Sequence, residues 1–109
     1  MVEIALDGNW VVLRLAGDID MASATAIGEC LKDLQDAGYH SMRVDLARVA
    51  FMDSQGVNML VAASKRADRA GGTIVAVNPN RQVRKLIGMT GLDRLLRVGG
   101  GAKNDNPAA

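Results

Sequence analysis

Apolar residues along this chain recur with two periods, one typical of β-strands and the other of α-helices. Segments rich in Val, Ile, Leu and Met predict strands at residues 2–6, 10–16, 42–46 and 73–77. Apolar residues spaced three or four apart predict helices at residues 22–37, 54 to about 70, and 81–88. The Asp-Gly-Asn sequence at residues 7–9 predicts a turn that joins the first two strands into an antiparallel hairpin. Residues 93–98 carry a last apolar pattern that fits either a helix or a strand.

Strands that alternate with helices after an opening hairpin predict an α/β fold. We expect one domain over residues 1–98, with a mixed, mostly parallel sheet, an antiparallel N-terminal hairpin and flanking helices. Residues 99–109 begin with glycines and lack a core pattern, so we expect a flexible tail. Sites in such sheets lie beyond the carboxyl ends of the strands. Two acidic loops, at residues 17–20 and 51–56, are therefore expected to meet there.

Composition limits the classes of function that this chain can have. Its 109 residues are enough for one small domain, and with only 3% aromatic residues the core must be built from aliphatic side chains and methionine. A net charge of +1 offers no electrostatic footprint for nucleic acid. The single cysteine, Cys30, lies in a helical apolar pattern and is expected to be a buried, reduced thiol. The acidic start and the absence of a long apolar run predict a cytoplasmic protein without a membrane span.

Ser54 is the residue whose chemistry most needs explaining. It lies between a predicted strand and a predicted helix, and because serine is a favoured N-cap residue, we expect it to cap that helix near the surface. A hydroxyl in this position is either an ordinary cap or a site of chemistry. The surrounding sequence, M-D-S-Q-G, lacks the nucleophile elbow of hydrolases. The only imidazole, His40, precedes a strand and is expected at the opposite edge of the sheet, so no base activates Ser54.

Other kinds of catalytic or cofactor site fit the sequence no better. It contains no phosphate-binding loop and no metal-ligand spacing of Cys or His, so we expect no metal and no cofactor. Asp18, Asp20 and Asp53 could form an acidic Mg²⁺ pocket like that of a response-regulator receiver. Receivers also carry a lysine after a late strand. Residues 78–80 and 97–99, the candidate positions, have none, which counts against this alternative.

Three segments of the chain resemble the STAS-domain family, and within it the single-domain anti-sigma factor antagonists. The strongest is D-L-A-R-V-A-F-M-D-S-Q-G-V at residues 45–57, which is similar to the family's D-L-x-x-x-x-(F/Y)-(M/I)-D-S-(S/T)-G-(L/V) pattern. G-D-I-D at residues 17–20 and M-T-G-L at residues 89–92 are similar to two further family segments. The resemblance extends over roughly residues 3 to 98, nearly the whole chain.

This resemblance implies a partner-switching role in the regulation of sigma factors and stress-response transcription. The unmodified antagonist binds an anti-sigma factor, often a serine kinase with a GHKL-type ATP fold, and thereby frees a sigma factor. The kinase phosphorylates the serine that follows the motif's aspartate, here Ser54, and a serine phosphatase removes the phosphate. The resemblance also implies that the antagonist itself is not an enzyme. By the same resemblance, the partner-binding residues are expected to be Asp18, Asp20, Asp53, Ser54, Gln55, Gly56 and Asn58.

Some of these residues also have plain structural interpretations. Asp53 and Asp20 could each be a helix cap, and Gly56 could serve close packing. Gln55 departs from the family, which usually has Ser or Thr at that position, and this could alter the kinase that fits or mark a domain that is not phosphorylated. The alternative function is therefore a STAS accessory or scaffold subunit of a larger complex, of the lipid-transport or stressosome type.

Overall fold

The computed structural model describes residues 2–89 and 97–99. Its elements are, in order, β1 (Val2–Asp7), β2 (Trp10–Ile19), α1 (Met21–Asp36), β3 (Ser41–Met52), α2 (Ser54–Arg69), β4 (Thr73–Val77), α3 (Arg81–Met89) and β5 (Arg97–Gly99). Every strand and helix expected within these residues is present. β5 extends one residue past the predicted domain end at residue 98, and the rest of the predicted tail lies outside the described residues.

The opening hairpin turns through Gly8 and Asn9. Asp7 pairs with Trp10, and Gly8 has a φ of 63°, a conformation that glycine adopts without a steric penalty. A positive φ at the first central position is typical of a type II′ turn, whose twist matches that of the two strands. β1 therefore pairs antiparallel with β2, as the sequence predicted.

The sheet has the order β1-β2-β3-β4-β5, and all pairs after the hairpin are parallel. Each new strand is added on the same side of the preceding one, so right-handed crossovers place every helix on the same face. α1 packs against α2, and α2 also contacts α3. This confirms the predicted mixed α/β fold and leaves the other face without a described helix. No helix within the described residues is both long and apolar enough to cross a lipid bilayer.

The core lies between the sheet and its helices and is built from aliphatic side chains and methionine. Its largest members, all under 2% exposed, are Val11, Leu13, Leu15, Ile19, Leu31, Met42, Leu46, Met52, Leu60, Ile74 and Ile87. Trp10 lies outside this core, in a second buried cluster with Val75 and Val77. The Arg43 guanidinium lies over the Trp10 ring, 5.6 Å from its centroid.

Cys30 is less buried than the sequence predicted, because its thiol is only partly covered. That partial burial, together with the nearby negative charge of Asp33, raises the pKa of Cys30.

β2 and β3 are both longer than the sequence pattern indicated. They remain paired up to Ile19 and Met52, through two register shifts that interrupt the apolar alternation. One shift adjoins Gly17, whose φ of 89° is costly for any residue with a Cβ. Most of both predicted acidic loops is therefore regular structure, because the two strands support one another beyond the point where β4 ends.

Candidate functional site

The carboxyl ends of β2 and β3 lie side by side, so the two acidic segments meet as the sequence predicted. Ile19 is the register partner of Met52, and the Asp53 backbone N–H donates a hydrogen bond to the Ile19 carbonyl at 3.1 Å. α1 begins directly after Asp20 and α2 directly after Asp53. Two helix N-termini, each with a positive dipole end, are thereby placed next to each other at one edge of the sheet.

Asp53, and not Ser54, is the N-cap of α2. Its backbone is extended, with φ −98° and ψ −177°. Its Oδ1 accepts hydrogen bonds from the backbone N–H groups of Gln55 at 2.9 Å and Gly56 at 3.2 Å. The prediction that Ser54 caps this helix was therefore wrong by one residue. The capping interpretation of Asp53 is confirmed, because its carboxylate satisfies two N–H groups that have no partner within the helix.

Ser54 is the first helical residue of α2, and it is exposed. Since Asp53 supplies the cap, the Ser54 hydroxyl is not needed for that purpose. The first turn of α2 contains no acidic side chain. The hydroxyl therefore projects from a positively polarised helix end, where another protein can reach it.

Asp20 caps α1 in the same way. Its Oδ1 accepts hydrogen bonds from the Ser23 backbone N–H at 3.0 Å and from the Ser23 hydroxyl at 2.9 Å. These two bonds lower the pKa of Asp20, so the carboxylate is ionised at neutral pH. Asp18 is exposed, and its backbone carbonyl accepts a longer bond from the Ser23 hydroxyl at 3.4 Å. The predicted acidic residues thus lie at one edge of the sheet, and two of them have confirmed structural roles.

Gly56 lies beneath this surface rather than on it. A Cβ at this position would lie 2.5 Å from Met52 Cγ and 3.0 Å from Ile19 Cγ2. The N-terminus of α2 therefore rests directly on the last side chains of β3 and β2. The close-packing role considered for Gly56 is confirmed, and any effect of this residue on a partner has to come from the position that it gives to Ser54 and Gln55.

Two residues that sequence reasoning missed, Asn80 and Gln82, hold the end of β3 in place. The Asn80 amide donates to the carbonyls of Val49 at 3.1 Å and Ala50 at 2.9 Å. The Gln82 side-chain amide accepts a hydrogen bond from the Met52 N–H and donates one to the Met52 carbonyl. The Asn-Pro-Asn sequence at residues 78–80 indicated a helix start, but nothing in the sequence indicated that these amides take the place of a neighbouring strand.

A groove runs from the site along the contact between α1 and α2. Its volume is about 370 Å³, and its lining includes Met21, Gln55, Asn58, Met59 and Arg66. Gln55 and Asn58 are exposed, and Asn58 lies one helical turn beyond Ser54. Met21, which directly follows Asp20, and Phe51, two residues before Asp53, are large apolar side chains left exposed. The lining of the groove combines apolar side chains with polar ones, and contiguous apolar surface rimmed by polar residues is typical of a protein-binding site.

The site offers a hydroxyl, carboxylates and amides, and His40 lies apart from it. His40 comes directly before β3, whereas Asp53 and Ser54 follow that strand, so β3 separates them as predicted. Within residues 2–89 and 97–99, no group of three or more His, Cys, Asp or Glu side chains could hold a metal ion. Of the third motif, Met89 ends α3, and residues 90–92 lie outside the described part of the chain.

Comparison with known proteins gives consistent matches over almost the whole chain. A family model described as "Mlab, STAS domain" matches residues 2–97. The anti-sigma-B factor antagonist of Bacillus subtilis is 29% identical over 97 residues, covering 89% of this chain and 88% of that protein. The Staphylococcus epidermidis protein of the same name is 24% identical and covers 94% of each chain.

Solved structures share the fold at lower sequence identity. The crystal structure of an anti-sigma factor antagonist from Mycobacterium paratuberculosis has a TM-score of 0.86 at 22% identity, covering 95% of this chain and 88% of that one. The Bacillus cell fate determinant SpoIIAA, in its phosphorylated form, has a TM-score of 0.77 at 21% identity, covering 95% of both chains. The arrangement of strands and helices described above is therefore shared with these proteins.

Proposed function

The chain belongs to the STAS-domain family, and from that premise we propose that it is an anti-sigma factor antagonist whose binding is switched off by phosphorylation of Ser54. In this proposal the unmodified protein acts in the cytoplasm. It binds an anti-sigma factor that is also a GHKL-type serine kinase, and so releases a sigma factor. The partner surface consists of Asp18, Asp20, Asp53, Ser54, Gln55 and Asn58, positioned by Gly56.

The observation that carries this proposal is the exposure of Ser54 at the first position of α2, next to a cap that another residue provides. A kinase can reach the hydroxyl, and a phosphate on it leaves the Asp53 cap intact. The names of the relatives point the same way: several are anti-sigma-B factor antagonists, and one structural neighbour was solved in a phosphorylated form.

The electrostatics of the site explain how a modification could abolish binding without unfolding the protein. Phosphorylation adds about −1.5 to −2 charges at neutral pH. The free N–H groups and dipole of α2 favour an anion at its N-terminus, so we expect the fold to tolerate the phosphate. A partner surface that fits a small hydroxyl would instead meet a bulky dianion close to the carboxylates of Asp53, Asp20 and Asp18. A loss of about 3 kcal/mol would weaken binding more than a hundredfold.

Phosphorylation by the cognate kinase is the direct test. After incubation with that kinase and ATP, peptide mass mapping should place one phosphate on Ser54, and the Ser54→Ala variant should remain unmodified. Addition of a serine phosphatase should remove the phosphate. Modification of another residue, or of none, would overturn the proposed switch.

Binding should then be compared by titration calorimetry with the anti-sigma factor. The phosphorylated protein and Ser54→Asp should bind more weakly than the wild type while keeping its thermal stability. Lys65→Glu is a matched control, because it makes the charge of α2 more negative by two at an exposed position far from the N-terminus. Equal binding by all the forms would contradict the switch.

The second candidate function is a non-phosphorylated accessory or scaffold subunit of a larger complex, of the lipid-transport or stressosome type. Gln55 favours it, since the antagonist pattern has Ser or Thr there, and the description of the matched family model names Mlab rather than an antagonist. Affinity purification from the source organism distinguishes the two. Recovery of an anti-sigma kinase supports the antagonist, and recovery of an ATPase or a scaffold supports the subunit.

A further inference from the structure

β1 is the outermost strand of the sheet, and only one of its edges is occupied. It pairs with β2, and within residues 2–89 and 97–99 no strand adjoins its other edge. Asp7 and Trp10 close the two-residue turn, so in the alternating antiparallel ladder Asp7, Ala5 and Glu3 direct their backbone groups toward β2. The N–H and C=O groups of Val2, Ile4 and Leu6 then point outward. An edge of this kind is a ready template for another extended strand.

The outward residues of β1 are also apolar and incompletely covered. Ile4 is 49% exposed and Leu6 is 63% exposed. Their partners on β2, Leu13 and Val11, are completely buried beneath the helices. The difference arises because the helices contact β2, β3 and β4, and their layer stops short of the edge strand. The apolar layer of the core therefore continues onto a surface that is open on one side.

We propose that this edge is covered by a second copy of the chain, with the two β1 strands paired antiparallel about a two-fold axis at Ile4. In this register Ile4 faces Ile4 of the second copy, and Val2 faces Leu6 of the second copy. The pairs place every outward backbone group of Val2, Ile4 and Leu6 opposite a complementary group. This pairing also brings the exposed Ile4 and Leu6 side chains of the two copies into contact across the dimer interface, on the face of the sheet that carries the helices.

Charge selects this register over its neighbours. Because side chains alternate between faces, a symmetric pair of strands can slip only by steps that keep like faces together. A slip in one direction places Glu3 opposite Glu3 of the second copy, and a slip in the other places Glu3 opposite Asp7. Like charges directly opposite each other destabilise a strand pair. With Ile4 on the axis, Glu3 instead faces Ala5, so the five residues from Val2 to Leu6 are complementary to themselves.

The size of this contact sets its strength. A standard interface buries about 800 Å² on each partner, which is more than one six-residue strand can supply. We therefore expect a reversible dimer that populates at high protein concentration. This inference rests on β1 alone and is independent of the proposed role of Ser54.

Disulfide trapping tests the register directly. In a Cys30→Ser background, which removes the only native thiol, a single cysteine is introduced by Ile4→Cys or by Leu6→Cys. Residues opposite each other in a hydrogen-bonded pair have Cα atoms about 5.5 Å apart, within the range of a disulfide. The two copies of residue 6 would be about 13 Å apart along the strands. The Ile4→Cys protein should therefore form a covalent dimer at least tenfold faster, and equal rates would overturn the proposal.

Sedimentation velocity tests the same contact without a covalent bond. The average mass of the wild type should rise from that of one chain toward that of two as the concentration approaches the millimolar range. Ile4→Lys should raise the dissociation constant at least tenfold, because it places two like charges on the axis. Met89→Lys makes the same change in charge at a side chain that is 75% exposed and lies on α3, so it should have no effect. A wild type that stays monomeric throughout, or equal effects of both substitutions, would overturn the proposal.

Discussion

The side-chain amide of Gln82 forms two hydrogen bonds with the backbone of Met52, the last residue of β3. Its Oε1 accepts from the Met52 N–H at 3.1 Å, and its Nε2 donates to the Met52 carbonyl at 2.9 Å. β4 ends at Val77, which pairs with Asp45, so no strand of the described part of the chain lies beside the end of β3 on that edge. One amide on α3 thus reproduces the two bonds that a strand would make, and it does so one residue before the Asp53 cap.

Gln82→Ala should lower the free energy of unfolding by about 1–3 kcal/mol, the cost of leaving partly buried backbone groups without partners. Urea denaturation measures this loss. Lys85→Ala removes an exposed side chain from the same helix and should change stability little. Equal losses for the two variants would mean that the Met52 contact contributes nothing specific. Amide chemical shifts of Asp53 and Ser54 should move in Gln82→Ala alone, because the end of β3 positions both residues.

Asp53→Ala should cost about 1 kcal/mol of stability, since it removes the carboxylate that accepts from two N–H groups at the start of α2. Asp53→Asn should keep most of that stability, because asparagine is an equally good N-cap. Ser54→Ala should have a much smaller effect than Asp53→Ala. Thermal or urea unfolding of the three variants checks this order, and a larger loss for Ser54→Ala would show that the hydroxyl is the true cap.

Gly56→Ala should destabilise the protein by about 1–3 kcal/mol, because its Cβ would overlap the Met52 side chain in a packed interior. Gly88 is a matched control: it lies in α3, and a Cβ there would meet nothing within 4 Å. Gly88→Ala should be neutral or stabilising, by up to about 1 kcal/mol, from improved helix propensity. Denaturation of both variants should give effects of opposite sign or clearly different size. Similar values would contradict the close approach of α2 to β3.

The pKa of Asp20 should lie below the ordinary value of an aspartate, and the Ser23 hydroxyl should be part of the cause. Carbon-detected NMR of the carboxyl group measures this pKa. Ser23→Ala should raise it partway, since the stronger influence, the Ser23 backbone N–H, remains. Thr25→Ala is the control, because that hydroxyl donates to the Met21 carbonyl instead.

The lowered pKa of Asp20 also makes the stability of the folded protein depend on pH. A carboxylate whose pKa is lower in the folded state stabilises that state above its unfolded pKa, and the contribution disappears as the pH falls through the folded value. The difference in unfolding free energy between wild type and Asp20→Ala should therefore be larger at pH 6 than at pH 3, below the ordinary aspartate pKa of about 4. If the difference in unfolding free energy between the two proteins instead grew as the pH fell, the lowered pKa of Asp20 would be contradicted.

The periodicity of apolar residues was sufficient to predict the elements and their order, because each buried face is regular over most of its length. It failed where pairing between strands overrode local pattern. Ala47 and Arg48 are consecutive exposed residues that break the alternation of β3, yet the strand continues to Met52 because β3 takes up one extra residue at each register shift and stays paired with β2. The apolar pattern of one strand does not show whether pairing with its neighbour continues across such an irregularity.

The site was predictable in location but not at the level of single atoms. Asp53 and Ser54 are adjacent residues that both favour the N-cap, and sequence-based helix boundaries are uncertain by one or two residues. Only the three-dimensional arrangement shows which side chain meets the N–H groups. The contacts of Asn80 and Gln82 with β3 were missed because, in the sequence, Asn80 looks like an ordinary helix-start residue and Gln82 like any polar residue on a solvated helix.

Because Asp53 caps α2, the side chain that holds the start of this helix is not the Ser54 hydroxyl beside it. Under the proposed switch, position 54 can therefore change without rebuilding the scaffold: threonine would preserve a hydroxyl that can be phosphorylated, alanine would give a version that always binds, and a permanent acid would mimic the phosphorylated, non-binding state. Under the same proposal, paralogues that respond to different inputs can arise from such single substitutions, because Asp53 holds the helix while the adjacent position 54 carries the modification.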